Sequence, residues 1–120
     1  MSTDDEIRAM ELAEAIRALG DVFIGKIPTT LSNMEGELDA IIHNSNDHDA
    51  WKNLHRHLHS LAGSAGTFGH DELGDRARHL EHRINDMLKT DTVSEEPQKS
   101  EFMHDQRVFM VWVDMEYLKK

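Results

Sequence analysis

Residues 49 to 69 read DAWKNLHRHLHSLAGSAGTFG, and apolar side chains recur along this stretch at intervals of three and four residues. The recurring side chains are Trp51, Leu54, Leu58, Leu61, Ala65 and Phe68. This spacing places all of them on one face of an α-helix, and Gly69 is typical of a residue that ends a helix. The stretch therefore predicts a helix over residues 49–67 that buries one face in a helical bundle.

The same periodicity recurs in the rest of the chain. It predicts further helices over residues 4–19, 21–44, 71–89 and 101–120. Pro28 is expected to bend the second helix or to lie in its first turn. The inward side chains predicted for the first helix are Ile7, Met10, Ala13, Ile16 and Leu19. Residues 90–100 are acidic and contain a proline, which is typical of a linker.

The last segment is ambiguous, because residues 108–113 read VFMVWV and have the composition of a buried strand. The sequence offers no second strand to pair with it, so a helix is the better prediction. The chain thus predicts an all-α fold, an antiparallel up-and-down four-helix bundle with a short additional N-terminal helix. Its 120 residues suit one domain over residues 1–120.

Composition excludes several classes of function. The 13 basic and 23 acidic residues give a formal charge of −10, which argues against nucleic-acid binding. Cysteine is absent, which excludes disulfides, thiol nucleophiles and cysteine-based metal sites. The N-terminus is acidic where a secretory signal would be basic, and the longest apolar run is far shorter than the roughly 18 residues of a membrane span. We therefore expect a cytoplasmic protein with no membrane partner.

His59 lies about 130° from the apolar face of the helix at residues 49–67, so it should face solvent or a partner. Its predicted neighbours on that side are Lys52, His55, Arg56, Gly63 and Gly66. Without its neighbours, His59 would be interpreted as an ordinary solvated surface residue. However, a glycine inside a helix costs up to about 1 kcal/mol relative to alanine, and Gly63 has no packing role opposite the apolar face. We infer that Gly63 leaves room for a bulky group to approach the imidazole.

An exposed imidazole can act as a nucleophile near neutral pH, because its reference pKa is about 6.5 and most of it is unprotonated. It can accept a phosphoryl group on one ring nitrogen. Phosphoryl transfer mainly requires an exposed nucleophile, room for the donor and nearby positive charge. Lys52 and Arg56 would supply that charge, and Gly63 would supply the room.

The eleven residues HSLAGSAGTFG at positions 59–69 resemble the signature of histidine-containing phosphotransfer (HPt) domains. The resemblance extends to the pair Ile27-Pro28 and to the downstream pattern of Leu73, Ala77, Leu80 and Glu81. One position departs from the family pattern, because Ala62 stands three residues after the histidine, where lysine is common. This removes one expected cation, for which Lys52 or Arg56 would partly compensate.

The resemblance implies that His59 accepts a phosphoryl group from an aspartyl phosphate on a receiver domain and passes it to another receiver. The protein would then be a phosphohistidine intermediate rather than an independent enzyme. It would have no cofactor of its own, since the receiver would supply Mg²⁺. The expected partners are response-regulator receiver domains and hybrid histidine kinases, contacted through His55, Ala62 and Gly66, with the protein itself a monomer.

Two other readings remain open. One is a non-phosphorylated adaptor or inhibitor that docks on a histidine kinase or a receiver. The other is a metal-binding helical bundle, because His55 and His59 have the i, i+4 spacing that can hold zinc. Arg56 stands where a metalloprotease helix would carry glutamate, which disfavours the metal. His79 and His82 have a similar spacing and are expected to form a solvated face.

Overall fold

A computed structural model describes residues 3–119. Within these residues the chain forms four α-helices, α1 (Thr3–His43), α2 (His48–Thr67), α3 (Asp71–Lys89) and α4 (Gln98–Val113), followed by a π-helical turn at Asp114–Leu118. The described residues contain no strand. The predicted all-α bundle is confirmed, and the ambiguous last segment is helical.

The predicted first and second helices are one continuous helix, so the prediction of a separate short N-terminal helix is wrong. α1 contains 41 residues and carries Pro28 in its interior. An interior proline removes a helical hydrogen bond and costs about 3 kcal/mol or more. Ile27 before it and Met34 after it are both fully buried in the core. This packing on both sides keeps the helix continuous across the proline, which local propensity alone would not do.

The N-terminal part of α1 does not pack against the bundle. Every residue from 3 to 19 is exposed, including the apolar side chains that were predicted to face inward. The first buried residue of α1 is Phe23, whose ring lies 5.7 Å from that of Phe68 at the end of α2. α2 ends at this level, and the part of α1 on the N-terminal side of Gly20 is exposed. The molecule is 62 Å long, which is about the length of a 41-residue helix.

The core is built around the predicted apolar face of α2. Its largest fully buried members include Trp51, Phe102, Ile27, Met34, Leu38, Leu54, Leu58, Leu73 and Ile84. Trp51 packs against Phe102 with ring centroids 5.7 Å apart and donates from Nε1 to the carbonyl of Ser45 at 3.0 Å. Asp47 caps the start of α2 by accepting a hydrogen bond from the amide of Ala50.

α2 and α3 approach each other closely because α3 carries glycine at position 74. A Cβ atom at Gly74 would lie 3.3 Å from the carbonyl oxygen of Ala62 and 3.5 Å from the amide nitrogen of Gly66. The turn between the helices contains Gly69, which has a φ of +81° that favours glycine. The two helices therefore run antiparallel with residue 74 level with residues 62–66. Two turns further along α3, residue 81 is level with residues 55–59.

The segment between α3 and α4 is shorter than the predicted linker, because α4 begins at Gln98. It is anchored to the core by Val93, which is 1% exposed. The side chain and amide of Ser100 donate hydrogen bonds to the Glu96 carboxylate and hold the pKa of Glu96 below its ordinary value. Among the described residues, no helix has both the length and the apolar character needed to cross a membrane.

Candidate functional site

His59 lies in the second half of α2, and 70% of its side chain is exposed. Its Nδ1 atom is 2.7 Å from the carboxylate oxygen Oε1 of Glu81 on α3. Only 12% of the Glu81 side chain is exposed, so the carboxylate lies in the seam between the two helices. The register set at Gly74 brings these two residues together.

The hydrogen bond to Glu81 determines which ring nitrogen of His59 is nucleophilic. An ionised carboxylate can only accept hydrogen bonds, so Nδ1 must carry the hydrogen and donate it. Nε2 of a neutral ring then keeps its lone pair. The described residues place no hydrogen-bond partner on Nε2. The arrangement thus presents one unprotonated nitrogen on an exposed and oriented ring.

His55 lies one turn before His59 and shares the same carboxylate. Its Nε2 atom is 3.9 Å from Oε1 of Glu81, and 29% of its side chain is exposed. The two imidazole rings are stacked with centroids 6.3 Å apart and an interplanar angle of 14°. His55 therefore supports one side of His59 and leaves the other side open.

The remaining histidine of the run at positions 55–59 faces elsewhere. His57 points towards α1, where its Nε2 atom lies 3.9 Å from Oε1 of Glu37. Across residues 3–119, the structure shows no group of three or more histidine, aspartate or glutamate side chains arranged to hold a metal ion. His79 and His82 are both exposed on α3.

The two predicted cations are exposed but do not contact His59. Arg56 donates a hydrogen bond to Oδ1 of Asn53, three residues earlier on α2. Lys52 is seven residues before His59 on the same helix, or about 10 Å along the axis. Neither side chain forms a hydrogen bond with His59 among the contacts of the described residues. Both lie on the N-terminal side of the imidazole.

The two predicted glycines leave the opposite side of His59 open. Gly63 and Gly66 are exposed, and a Cβ atom at either position would meet nothing within 4 Å. The chain's own packing therefore does not require glycine at these positions. The surface beyond His59 stays flat and unobstructed over the last two turns of α2.

Ala62 is not part of this surface, so the prediction that it contacts a partner is wrong. It is 1% exposed and packs under α3. The reason is the close approach of the helices at Gly74, which covers the side of α2 that carries Ala62. The exposed surface around His59 is therefore narrower than the helical phase of α2 alone predicts.

The comparison with protein families identifies the chain. A family model for the Hpt domain matches residues 9–107, which is most of its length. The chain belongs to the Hpt domain family. Members of this family transfer phosphoryl groups through histidine in phosphorelays and interact with receiver domains and histidine kinases. Comparison with curated proteins and with solved structures found no match.

Glu81 is the residue of this Hpt domain whose role the sequence did not reveal. In the sequence, Glu81 belongs only to the pattern with Leu73, Ala77 and Leu80. One signal was present, because Glu81 directly follows a core position and so lies at the edge of the apolar face of α3. The sequence of α3 does not indicate that Glu81 contacts His59, because the helical phase of one helix does not specify how the neighbouring helix is aligned along it.

Proposed function

We propose that this Hpt domain is a phosphorelay carrier in which Nε2 of His59 accepts a phosphoryl group from the aspartyl phosphate of a receiver domain. It then returns the group to the aspartate of another receiver. The observation that carries the proposal is the 2.7 Å contact between Nδ1 and Glu81 on a ring that is 70% exposed. A ring held at one nitrogen and open at the other is suited to nucleophilic attack.

In the transfer, the lone pair of Nε2 forms a bond to phosphorus while the bond between phosphorus and the aspartate oxygen breaks. The bonding electrons of the broken bond remain on the aspartate carboxylate. The ring keeps its hydrogen on Nδ1 and becomes a positively charged phosphoimidazolium. The Glu81 carboxylate then faces a full positive charge, and the charge-assisted hydrogen bond stabilises the phosphorylated form.

The reverse of the same step returns the phosphoryl group to a second aspartate. No water or proton is consumed in either direction, so the domain is an intermediate rather than an independent catalyst. In this proposal the receiver supplies Mg²⁺, which neutralises the charge that develops on the phosphoryl oxygens.

The proposed docking surface is the exposed side of α2 around His59. Gly63 and Gly66 allow the receiver loops to approach on one side, because their Cβ positions are open. Lys52 and Arg56 lie on the other side and would attract the acidic loops of a receiver. Response-regulator receivers and the receiver domains of hybrid histidine kinases are the proposed partners. Because these partners are cytoplasmic, the proposed location of the protein is also the cytoplasm. One copy of the chain is sufficient for transfer.

Incubation with a radiolabelled phosphorylated receiver and Mg²⁺ tests the proposal. The wild type should acquire a label that is stable in base and labile in acid, as phosphohistidine is. His59→Gln should acquire none, while His79→Gln, which changes another exposed histidine, should be labelled normally. An adaptor would keep its biological function in His59→Gln, whereas a carrier would lose it. Failure of several cognate receivers to label the wild type would refute the carrier.

A further inference from the structure

Beyond His59, α2 carries no positive charge. Residues 60–67 read SLAGSAGT and contain no charged side chain. The cations before His59, Lys52 and Arg56, lie closer to the N-terminus of α2, and helical side chains lean towards the N-terminus of their own helix. Their charged groups therefore point away from His59. A cation on the side of His59 that the glycines leave open has to come from the neighbouring helix α3.

Arg78 is the cation of α3 that lies beside this open side. It precedes Glu81 by three residues, which is nearly one helical turn, and is rotated about 60° from it around the helix axis. The rotation is away from Ala77, which is 0% exposed, and towards solvent, where 48% of the Arg78 side chain is exposed. Because Glu81 contacts His59, Arg78 and His59 lie on the solvent side of the same seam between α2 and α3.

The register of the two helices brings Arg78 level with the second half of α2. Residue 74 is level with residues 62–66, and the helices run antiparallel, so residue 78 is level with residues 58–62. The Arg78 side chain leans towards the N-terminus of α3, which is the direction of Gly63 on α2. A Cβ atom at Gly63 would meet nothing within 4 Å. The guanidinium therefore has room to turn over this position.

Arg78 is weakly held compared with Arg76, two residues earlier on α3. Arg76 donates two hydrogen bonds to Glu72 and lies 4.3 Å from the centre of the Trp112 ring. The ion pair of Arg78 with Asp75 spans 3.8 Å, and the Asp75 side chain is 80% exposed. Exposed pairs of this kind contribute little to stability. Arg78 can therefore leave Asp75 for a more highly charged partner.

We propose that Arg78 binds the phosphoryl oxygens of phosphorylated His59 after the receiver has left. The inference rests on the proposed function, since it concerns the phosphorylated form. In that function the docked receiver supplies Mg²⁺, and the departing receiver takes the metal with it. The guanidinium carries a planar fork of N–H donors that suits phosphoryl oxygens. Arg78 then neutralises the phosphoryl charge in the interval between two transfers, while Glu81 stabilises the positive ring.

Phosphorus NMR of the chemically phosphorylated protein tests the proposal without a receiver. With potassium phosphoramidate, Nε2 of His59 bonds to phosphorus while the bond between phosphorus and nitrogen of the reagent breaks, and ammonia leaves. The resonance that is absent from His59→Gln belongs to His59. In a pH titration, the phosphoryl pKa should be about one unit higher in Arg78→Gln than in the wild type, because a nearby cation favours the doubly charged form. Arg78→Lys keeps the charge and should recover most of the shift.

Arg76→Gln is the matched control, because it removes the same charge from the flank of α3 that faces Trp112 of α4. Its phosphoryl pKa should equal that of the wild type. Equal values in the wild type and Arg78→Gln, or an equal shift in Arg76→Gln, would overturn the proposal and leave the carrier function standing. A wild type without any His59 resonance would instead refute the carrier function and this proposal together.

Discussion

Replacing Glu81 with glutamine tests the link between the geometry of the site and its chemistry. Glutamine has nearly the same shape as glutamate, so the variant should fold like the wild type. It can still accept a hydrogen bond from Nδ1 of His59, but it no longer carries the charge that stabilises a phosphoimidazolium. The substitution thus separates charge from shape at an atom 2.7 Å from the ring.

The size of the effect follows from the exposure of the two partners. A hydrogen bond to a charged group contributes about 1.5–3 kcal/mol. The Glu81 side chain is 12% exposed, but that of His59 is 70% exposed, so water compensates part of the loss. The lower end of the range, about 1.5 kcal/mol, corresponds to roughly a tenfold change in an equilibrium constant. We expect Glu81→Gln to shift the equilibrium between phosphorylated receiver and phosphorylated Hpt domain about tenfold towards the receiver.

The assay is the distribution of radiolabel between the two proteins at equilibrium, combined with ¹⁵N NMR of the imidazole nitrogens. In the wild type, Nδ1 of His59 should carry the hydrogen, and in Glu81→Gln the other tautomer should become populated. Glu37→Gln is the matched control, because Glu37 is 21% exposed and lies 3.9 Å from His57 on the far side of α2. The reasoning fails if Glu81→Gln matches Glu37→Gln in both measurements.

Three further substitutions have expected outcomes. Gly63→Leu should raise helix stability by up to about 1 kcal/mol and slow phosphoryl transfer at least tenfold. The control is Gly36→Leu, at another open helical glycine, which should raise thermal stability similarly and transfer normally. Equal transfer rates in the two variants would contradict the role of Gly63. Gly74→Val should lower the free energy of unfolding by about 1–3 kcal/mol, because its Cβ would lie 3.3 Å from a backbone carbonyl oxygen. Urea titration measures this change. An unchanged midpoint would show that the two helices can separate freely. Gln106→Leu should raise the free energy of unfolding by about 1 kcal/mol. The reason is that Gln106 is 0% exposed and its Oε1 has no hydrogen-bond partner within the described residues. A lower melting temperature of the variant would show that the amide contributes to packing.

Helical periodicity alone predicted much of the architecture. The predicted ranges of α2 and α3 agree with the structure to within a residue, because both helices have a regular apolar face and end at turns with clear sequence signals. The position of His59 away from the apolar face of α2 was also predictable, since the angle between two residues of one helix depends only on their separation. The similarity of positions 59–69 to a known signature then indicated the family.

Tertiary structure decided which apolar and acidic side chains have neighbours. Periodicity identifies the apolar side of a helix but not the point at which its neighbour ends, so Ile16 and Ile27 look alike in sequence although only Ile27 is buried. Likewise, the burial of Ala62 and the contact of Glu81 with His59 depend on how α3 lies on α2. That placement is set by the close approach at Gly74, a contact between distant parts of the chain, and no local pattern encodes it.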